Sequence, residues 1–329
     1  MRKKNKLLII SGPTATEKSR LALRLAYAFN GELISADARD VYKGLDILTG
    51  KDIPGGFRLV MSDIGVNSQK IQYFGNGTRL WLIDCVQRNE LFTASHYKTY
   101  VDRILPNLYS RGKLPIIVGG TGFYIKAVID GFGTLSMPPN VSLRGELSTK
   151  GLEELQRILK DANPARFASM NWSDKNNQRR LIRAIEIAHI LRSAKEPSWS
   201  GIVDIYWIGL TAPAHILEKN IWNRIQVRLD RGVIREVAEE VKNGNGKISI
   251  GSPLGFDSLV FYLQGKLSLE DSVNLWFTKE RQYAKRQLTW FKKEKRITWF
   301  DISGDEWEEK VTAAVSAWYT YTNSYADQN

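Results

Sequence analysis

Apolar positions along the chain follow two periods, and the alternation between them predicts the elements. Consecutive apolar runs at Leu7-Leu8-Ile9-Ile10, Leu33-Ile34, Leu80-Trp81-Leu82-Ile83 and Pro115-Ile116-Ile117-Val118 predict short strands buried on both faces, the pattern of a parallel sheet. Between them the period lengthens to that of a helix. Arg20 to Phe29 sets Leu21, Leu25, Ala28 and Phe29 on one face, and Ser95 to Ser110 predicts a second helix. Phe57 to Met61 and Ile71 to Phe74, in a glycine-punctuated stretch, predict a hairpin. From Thr134 the pattern changes. Met137-Pro138-Pro139-Asn140 interrupts it, and Gly151 to Ser193 is helical with no strand, with Leu181, Ile182, Ile185 and Ala188 inward and Arg179, Arg180 and Arg183 partly outward. Val203 to Leu210 returns to strand, and Ile216 to Val241 reads as one long helix or a helix pair. The expected organisation is an α/β core over residues 1–133 and 201–329, with a helical insertion domain over 134–200.

The first strand-to-helix junction carries the candidate chemistry. Gly12-Pro13-Thr14-Ala15-Thr16-Glu17-Lys18-Ser19 matches the phosphate-loop spacing G-x-x-x-x-G-K-[ST], except that Glu17 stands at the second glycine. A helix N-terminus after a buried strand attracts anions, so Gly12, Pro13, Thr14, Ala15, Thr16, Lys18 and Ser19 are candidate diphosphate ligands, with Mg2+ at Ser19. The other local reading is an ordinary turn with Lys18 in solvent. A P-loop NTPase-like parallel sheet is the fold this implies. The run Gly31 to Asp37 ends in an acid, and ligands of such sheets lie at the carboxyl ends of strands; Asp37 is therefore a candidate base, or else the cap of the next turn. Gly119-Gly120-Thr121-Gly122 ends another strand, where glycines suit either close approach to a ligand or a tight turn.

Composition narrows the classes. With 43% hydrophobic residues and no run near eighteen apolar residues, a globular cytoplasmic protein is expected, and no membrane association. Cys85 is the only cysteine, which excludes an intramolecular disulfide, and His96, His189 and His215 lack metal-ligand spacing. The formal net charge of +12 suits a polyanionic partner as well as a solvated basic surface. From Arg281 to Arg296 seven Lys or Arg residues face one acid, Glu294, and Tyr283, Trp290 and Phe291 are interleaved. Phosphate contact with base stacking, or a helix with aromatics in the core and lysines in water, both fit, and both can hold on opposite faces.

Five pieces in order resemble the tRNA dimethylallyltransferases: Gly12-Pro13-Thr14-Ala15 with Lys18-Ser19; Ile34-Ser35-Ala36-Asp37 with Val41 to Ile47; Pro115 to Tyr124; Arg179 to Ile187; and Arg281 to Phe291. That family transfers a prenyl group to N6 of the adenine on the 3′ side of the anticodon. The resemblance implies dimethylallyl diphosphate, tRNA and Mg2+ as partners of a monomer. It makes Asp37 the acid that takes the N6 proton, and Thr14, Lys18 and Arg224 the groups that hold the departing diphosphate. Thr121 would lie beside the tRNA, and Arg179, Arg183, Arg281, Gln282, Lys285 and Arg286 would contact it. Asp40 stands where the family has a glutamine that reads the adenine, Glu218 where it has an arginine, and Leu80-Trp81 where a histidine pair is usual. A catalytically weak tRNA-binding paralogue, or a P-loop kinase of a small substrate, would share the same loop. Glu17 is expected beside the diphosphate, so that Glu17→Gly would tighten donor binding by relieving like-charge repulsion.

Overall fold

The computed structural model describes residues 4–51, 53–61, 71–88, 90–131, 139–188, 198–243 and 253–321. Met137, Pro138, His189 and the helical reading from 189 to 193 lie outside the described residues. The chain divides into two compact units, Met1–Ile129 with Trp199–Asn329, and Asp130–Ser198. The composition shift had set these limits at 134 and 200.

The first unit opens with β1 (Lys6–Ser11), α1 (Lys18–Ala28), β2 (Gly31–Ser35), a short α2 (Asp46–Thr49), β3 (Arg58–Met61), β4 (Ile71–Gly75), β5 (Thr78–Trp81), α3 (Ala94–Ser110), β6 (Leu114–Gly119) and α4 (Gly122–Asp130). The second unit holds α5 (Val141–Ser148), α6 (Leu152–Ala162), α7 (Pro164–Ser169), α8 (Trp172–Lys175) and α9 (Gln178–Ala188). The first unit then resumes with β7 (Asp204–Thr211), α10 (Ala214–Asp230), α11 (Val233–Asn243), α12 (Phe256–Leu263), α13 (Leu269–Phe291), β8 (Ile297–Asp301) and α14 (Trp307–Thr320).

The strands form one sheet in the order β3-β4-β5-β2-β6-β1-β7-β8. From β5 to β8 every pairing is parallel, while β3, β4 and β5 make an antiparallel meander at one edge. β1 lies inside, with Leu8 opposite Ile116 of β6 and Ile10 opposite Ile208 of β7. Leu8, Ile10, Leu33, Ile116, Val118, Ile208 and Leu210 pack against α1 and α14, and the intervening Leu7, Ile9, Ile34 and Ile117 are equally buried. Coverage of both faces is why these strands read as unbroken apolar runs. A separate core joins α2, α10, α11, α12 and α13 around Leu48, Ile225, Val237, Leu259 and Trp276.

Two expectations change and one open alternative is resolved. α1 turns Leu21, Ala22, Leu25 and Ala26 inward, while Ala28 is exposed and Phe29 packs edge-on against Tyr319 at 5.3 Å. The small side chains at 22 and 26 let the helix lie close on the sheet. β5 stops at Trp81, because Leu82 and Asp84 adopt left-handed angles that no strand carries. The stretch 216–241 is a helix pair, broken at Arg231-Gly232 where Gly232 has φ 87°.

The second unit has its own apolar core of Leu147, Leu155, Leu159, Met170, Leu181, Ile182 and Ile185. Leu181 and Ile182 lie inward as the periodicity predicts. At its edge the Glu186 carboxylate, 2% exposed, accepts from Arg144 at 2.7 Å through both oxygens, from Arg183 at 3.1 Å and from the Asn140 N–H at 2.8 Å. Burial pushes its pKa up, but the two arginines and the N–H outweigh that and hold it below the usual 4.5. A depressed carboxylate contributes stability above its unfolded value and loses it as pH falls through its folded value. Hydrogen exchange should therefore show protection of α5 and α9 falling as pH drops below 4.5, and Glu186→Gln should lose both that acid step and part of the protection at pH 7.

Candidate functional site

β1 ends at Ser11 and α1 begins at Lys18, so the connecting residues wrap the helix N-terminus, the end that attracts anions. Gly12 has φ 143°, and a Cβ there would meet the Leu210 carbonyl oxygen of neighbouring β7 at 2.3 Å. Only glycine fits. Thr16, fully buried, donates its hydroxyl to the Pro13 carbonyl at 2.8 Å, and Lys18 Nζ donates to the same oxygen. From α10, Arg224 donates to Thr14 Oγ1 at 3.1 Å and Asn220 donates to the Ala15 carbonyl at 3.2 Å.

The loop forms one wall of a cavity of about 320 Å³ that brings Thr14, Lys18, Ser19, Asp37, Asp40, Arg224 and Arg286 together. Leu23, Leu33, Leu80, Ile83 and Val118 give it an apolar lining. Asp37 lies just beyond β2. Its N–H reaches Ser35 Oγ at 3.3 Å and its Oδ1 accepts from the Arg39 N–H at 2.8 Å, so it both faces the cavity and closes its own turn. Thr121 stands one hydrogen bond behind: its hydroxyl accepts from the Ala38 N–H at 3.0 Å, and its N–H donates to the Ala36 carbonyl at 3.0 Å. Tyr283, which also lines the cavity, has its phenol pushed up by burial and then by the charge of Asp37, so it stays neutral at pH 7.

α13 sorts the basic segment by face. Arg281, Gln282, Lys285 and Arg286 are exposed, with Arg281 3.5 Å from Glu218, whereas Ala284 and Phe291 are buried and Trp290 covers Gly122. The aromatics at 290 and 291 therefore serve packing. Gln287, which carries no role in the sequence reading, links two loops: its Oε1 accepts from the Thr14 N–H at 2.9 Å, and its Nε2 donates to the Gly120 carbonyl at 3.0 Å. A Cβ at Gly120 would meet Gln287 Nε2 at 2.1 Å, so any side chain there would displace this amide. Arg228 and Glu280, 3.2 Å apart, also line the cavity and carry no role in the sequence reading. A buried polar group is legible only once its partner is known. In the second unit Arg179 is exposed, while Arg183 is committed to Glu186. Trp81 donates to Glu32 at 2.8 Å, a carboxylate gripped by Arg111 at 2.5 and 2.9 Å, and Leu80 beside it forms part of the apolar lining. Burial pushes the Cys85 thiol up to about 12, which leaves it a core residue. Among the described residues no group of three His, Cys, Asp or Glu side chains could hold a metal by itself, and no helix is long and apolar enough to cross a membrane.

Glu17 takes φ 58° in the place of the motif glycine, and its carboxylate turns to Arg20 at 3.4 Å, a residue also bound by Glu308. The expected placement beside the diphosphate changes: the carboxylate pairs with Arg20 of α1, which weakens the repulsion argued from the motif. What remains is backbone strain, about 1 kcal/mol for a non-glycine residue in this region. Glu17→Gly should raise Tm by roughly 2 °C, with donor affinity by calorimetry changed less than about twofold, since half-exposed pairs like Glu17–Arg20 contribute little.

The chain matches the family model for IPP transferases over residues 61–294. It is 32% identical over 320 residues to the tRNA dimethylallyltransferase of Carboxydothermus hydrogenoformans, covering 94% of this chain and 96% of that one. A tRNA dimethylallyltransferase of Geotalea daltonii is 34% identical over 319 residues, covering 93% and 94%. Among solved structures, the tRNA isopentenylpyrophosphate transferase of Bacillus halodurans superposes with a TM-score of 0.65 at 29% identity, over 95% of this chain and 96% of that one. A eukaryotic dimethylallyltransferase acting on tRNA shares the fold, with a TM-score of 0.74 at 21% identity over 96% and 80%. With a loop of phosphate-loop spacing, a strand-end aspartate and an apolar-lined cavity in one unit, and these likenesses along nearly its whole length, the chain belongs to the tRNA dimethylallyltransferase family of IPP transferases.

Proposed function

We propose that this protein transfers the dimethylallyl group of dimethylallyl diphosphate to N6 of the adenine on the 3′ side of the anticodon in tRNA, in the cytoplasm. The observation that carries the reading is the cavity itself, whose lining combines the basic and hydroxyl groups Lys18, Ser19 and Arg224, the apolar Leu23, Leu33 and Ile83, and Asp37. A diphosphate ester of a short hydrocarbon has these two halves. A kinase of a small substrate would have less use for the apolar wall. In the proposed step the adenine N6 attacks the first prenyl carbon, the bond from that carbon to the diphosphate oxygen breaks, and the N6 proton passes to Asp37. Lys18, Arg224 and the Thr14 hydroxyl take up the charge that develops on the leaving diphosphate. The Ser19 hydroxyl, half-buried on the cavity wall, suits a hard cation that draws its other ligands from diphosphate oxygens and water. Mg2+ bound there would add positive charge at the leaving group. Asp40, an acceptor only, can take a hydrogen bond from the exocyclic amine of adenine.

For the RNA, the exposed face of α13 with Arg281, Gln282, Lys285 and Arg286 offers phosphate contacts. The second unit offers another surface. Trp172 is 80% exposed on α8, in a stretch that also carries exposed Arg166 and Arg179, which suits contact with unpaired nucleotides.

Incubation with tRNA, Mg2+ and labelled dimethylallyl diphosphate, followed by nucleoside analysis, should find N6-dimethylallyl adenosine; RNA binding without label would support a non-catalytic paralogue instead. Asp37→Asn should lower transfer by about 10² to 10⁴, with donor binding kept within a few-fold; unchanged turnover removes Asp37 from the mechanism. Reversing Arg281 and Lys285 together should flatten the salt dependence of tRNA binding by roughly 0.7 to 0.9 per lost contact, and an unaltered slope would take this face out of the interface.

A further inference from the structure

Immediately after β5, Leu82 and Asp84 hold left-handed angles of φ 64° and 54°. Neither is glycine, and such strain persists only where the surroundings over-determine it. Here the anchor is a buried ionic cluster. One Asp84 oxygen accepts from Lys51 Nζ, and the other accepts from the Tyr73 hydroxyl at 2.6 Å. The Lys51 side chain is 0% exposed, and its ammonium also donates to Asp46 Oδ1 at 2.6 Å and to the Gly44 carbonyl at 3.1 Å. Three donors thus have three acceptors.

The backbone that this cluster fixes runs beside the loop that follows β2. The Asp84 N–H donates to the Asp40 carbonyl at 2.9 Å, the Val86 N–H donates to the Val41 carbonyl at 3.0 Å, and the Val86 carbonyl accepts from the Lys43 N–H at 3.0 Å. Tyr42 and Val86 form an isolated parallel bridge. The kink at 82 and 84 turns the chain out of β5 and into this second, shorter ladder. Lys51 meanwhile grips the far end of the same loop through Gly44 and Asp46.

We propose that Lys51, Asp84 and Tyr73 are positioning residues that hold the segment from Asp37 to Lys43 against the cavity. The proposal rests on the reading of Asp37 as the base. A buried ion pair is a poor way to gain stability compared with apolar packing, and its better-attested use is to fix one arrangement among several. A reacting carboxylate needs that, since displacement by about 1 Å can cost on the order of 100-fold in rate. Thr121 holds the Ala36–Ala38 end of the segment, and the cluster holds the rest.

Asp84→Asn and Tyr73→Phe test this in the full chain. Asparagine tolerates the left-handed angle, so the first removes the charge without the kink, and the second removes one hydroxyl from a partly buried ring. Hydrogen exchange of both variants should be faster across residues 38–43, with 8–16 and 204–211 unchanged. In the transfer assay Asp84→Asn should lower kcat by about 10-fold or more, with KM for the donor within about twofold. Tyr73→Phe should do the same to a smaller extent, and Lys51→Arg should retain more activity than Lys51→Met. Unchanged exchange at 38–43, a uniform rise across the whole sheet, or a donor KM that climbs as kcat falls would each overturn the positioning role. The exchange experiment needs no turnover. A wild-type chain that transfers no label would therefore count against the proposed function, while exchange still decides this one.

Discussion

The parallel seating of β1 between β6 and β7 is the constraint on which the rest of the first unit depends. Their register brings Ser11, Gly119 and Gly209 level, so three carboxyl ends open at one edge. The loop after β1 must turn there beside the Leu210 carbonyl, which is possible because residue 12 has no Cβ. β2 then delivers Asp37 to the same edge, and β6 delivers Thr121 one hydrogen bond behind it. Placing Asp37 is thus a consequence of strand order, and the polar groups around it refine a position the sheet has already chosen.

Connections between distant segments complete the site. Gln287 of α13 ties Thr14 to Gly120, Arg224 of α10 reaches the Thr14 hydroxyl, and Lys51 reaches Asp84. Each joins segments that are far apart in sequence. They make the cavity wall a set of loops pinned from behind, which suits a site whose groups act through position and charge. The basic and packing functions of α13 coexist because a helix presents different sides at once: Ala284, Gln287 and Phe291 inward, Arg281, Lys285 and Arg286 outward.

Much of this was legible in the sequence. Unbroken apolar runs marked the central strands because strands buried on both faces must be apolar at every position. The change from strand alternation to an all-helical stretch marked the second unit, and the spacing from Gly12 to Ser19 marked the phosphate loop. These are local signals: a period or a spacing within some ten residues is enough to state them. Partner-dependent features left no such trace. The sequence placed Glu17 beside the phosphates by analogy with a glycine, but its direction depends on Arg20 and, through it, on Glu308 nearly three hundred residues away. The same holds for the end of β5 and for Arg183.

The amino-acid sequence by itself determined the class of fold, most of the elements, the strand-to-helix loop with phosphate-loop spacing and the identity of the strand-end acid, because each follows from the order of residue types along the chain. Tertiary structure alone decided which way Glu17 turns, that Gln287 ties Thr14 to Gly120 and Lys51 pairs with Asp84, that Arg183 is held by a buried carboxylate, and that Trp290 and Phe291 of α13 pack on the protein. Hydrogen bonds and ion pairs between remote segments are set by three-dimensional proximity, and a buried polar side chain acquires its meaning only from the partner that folding brings to it.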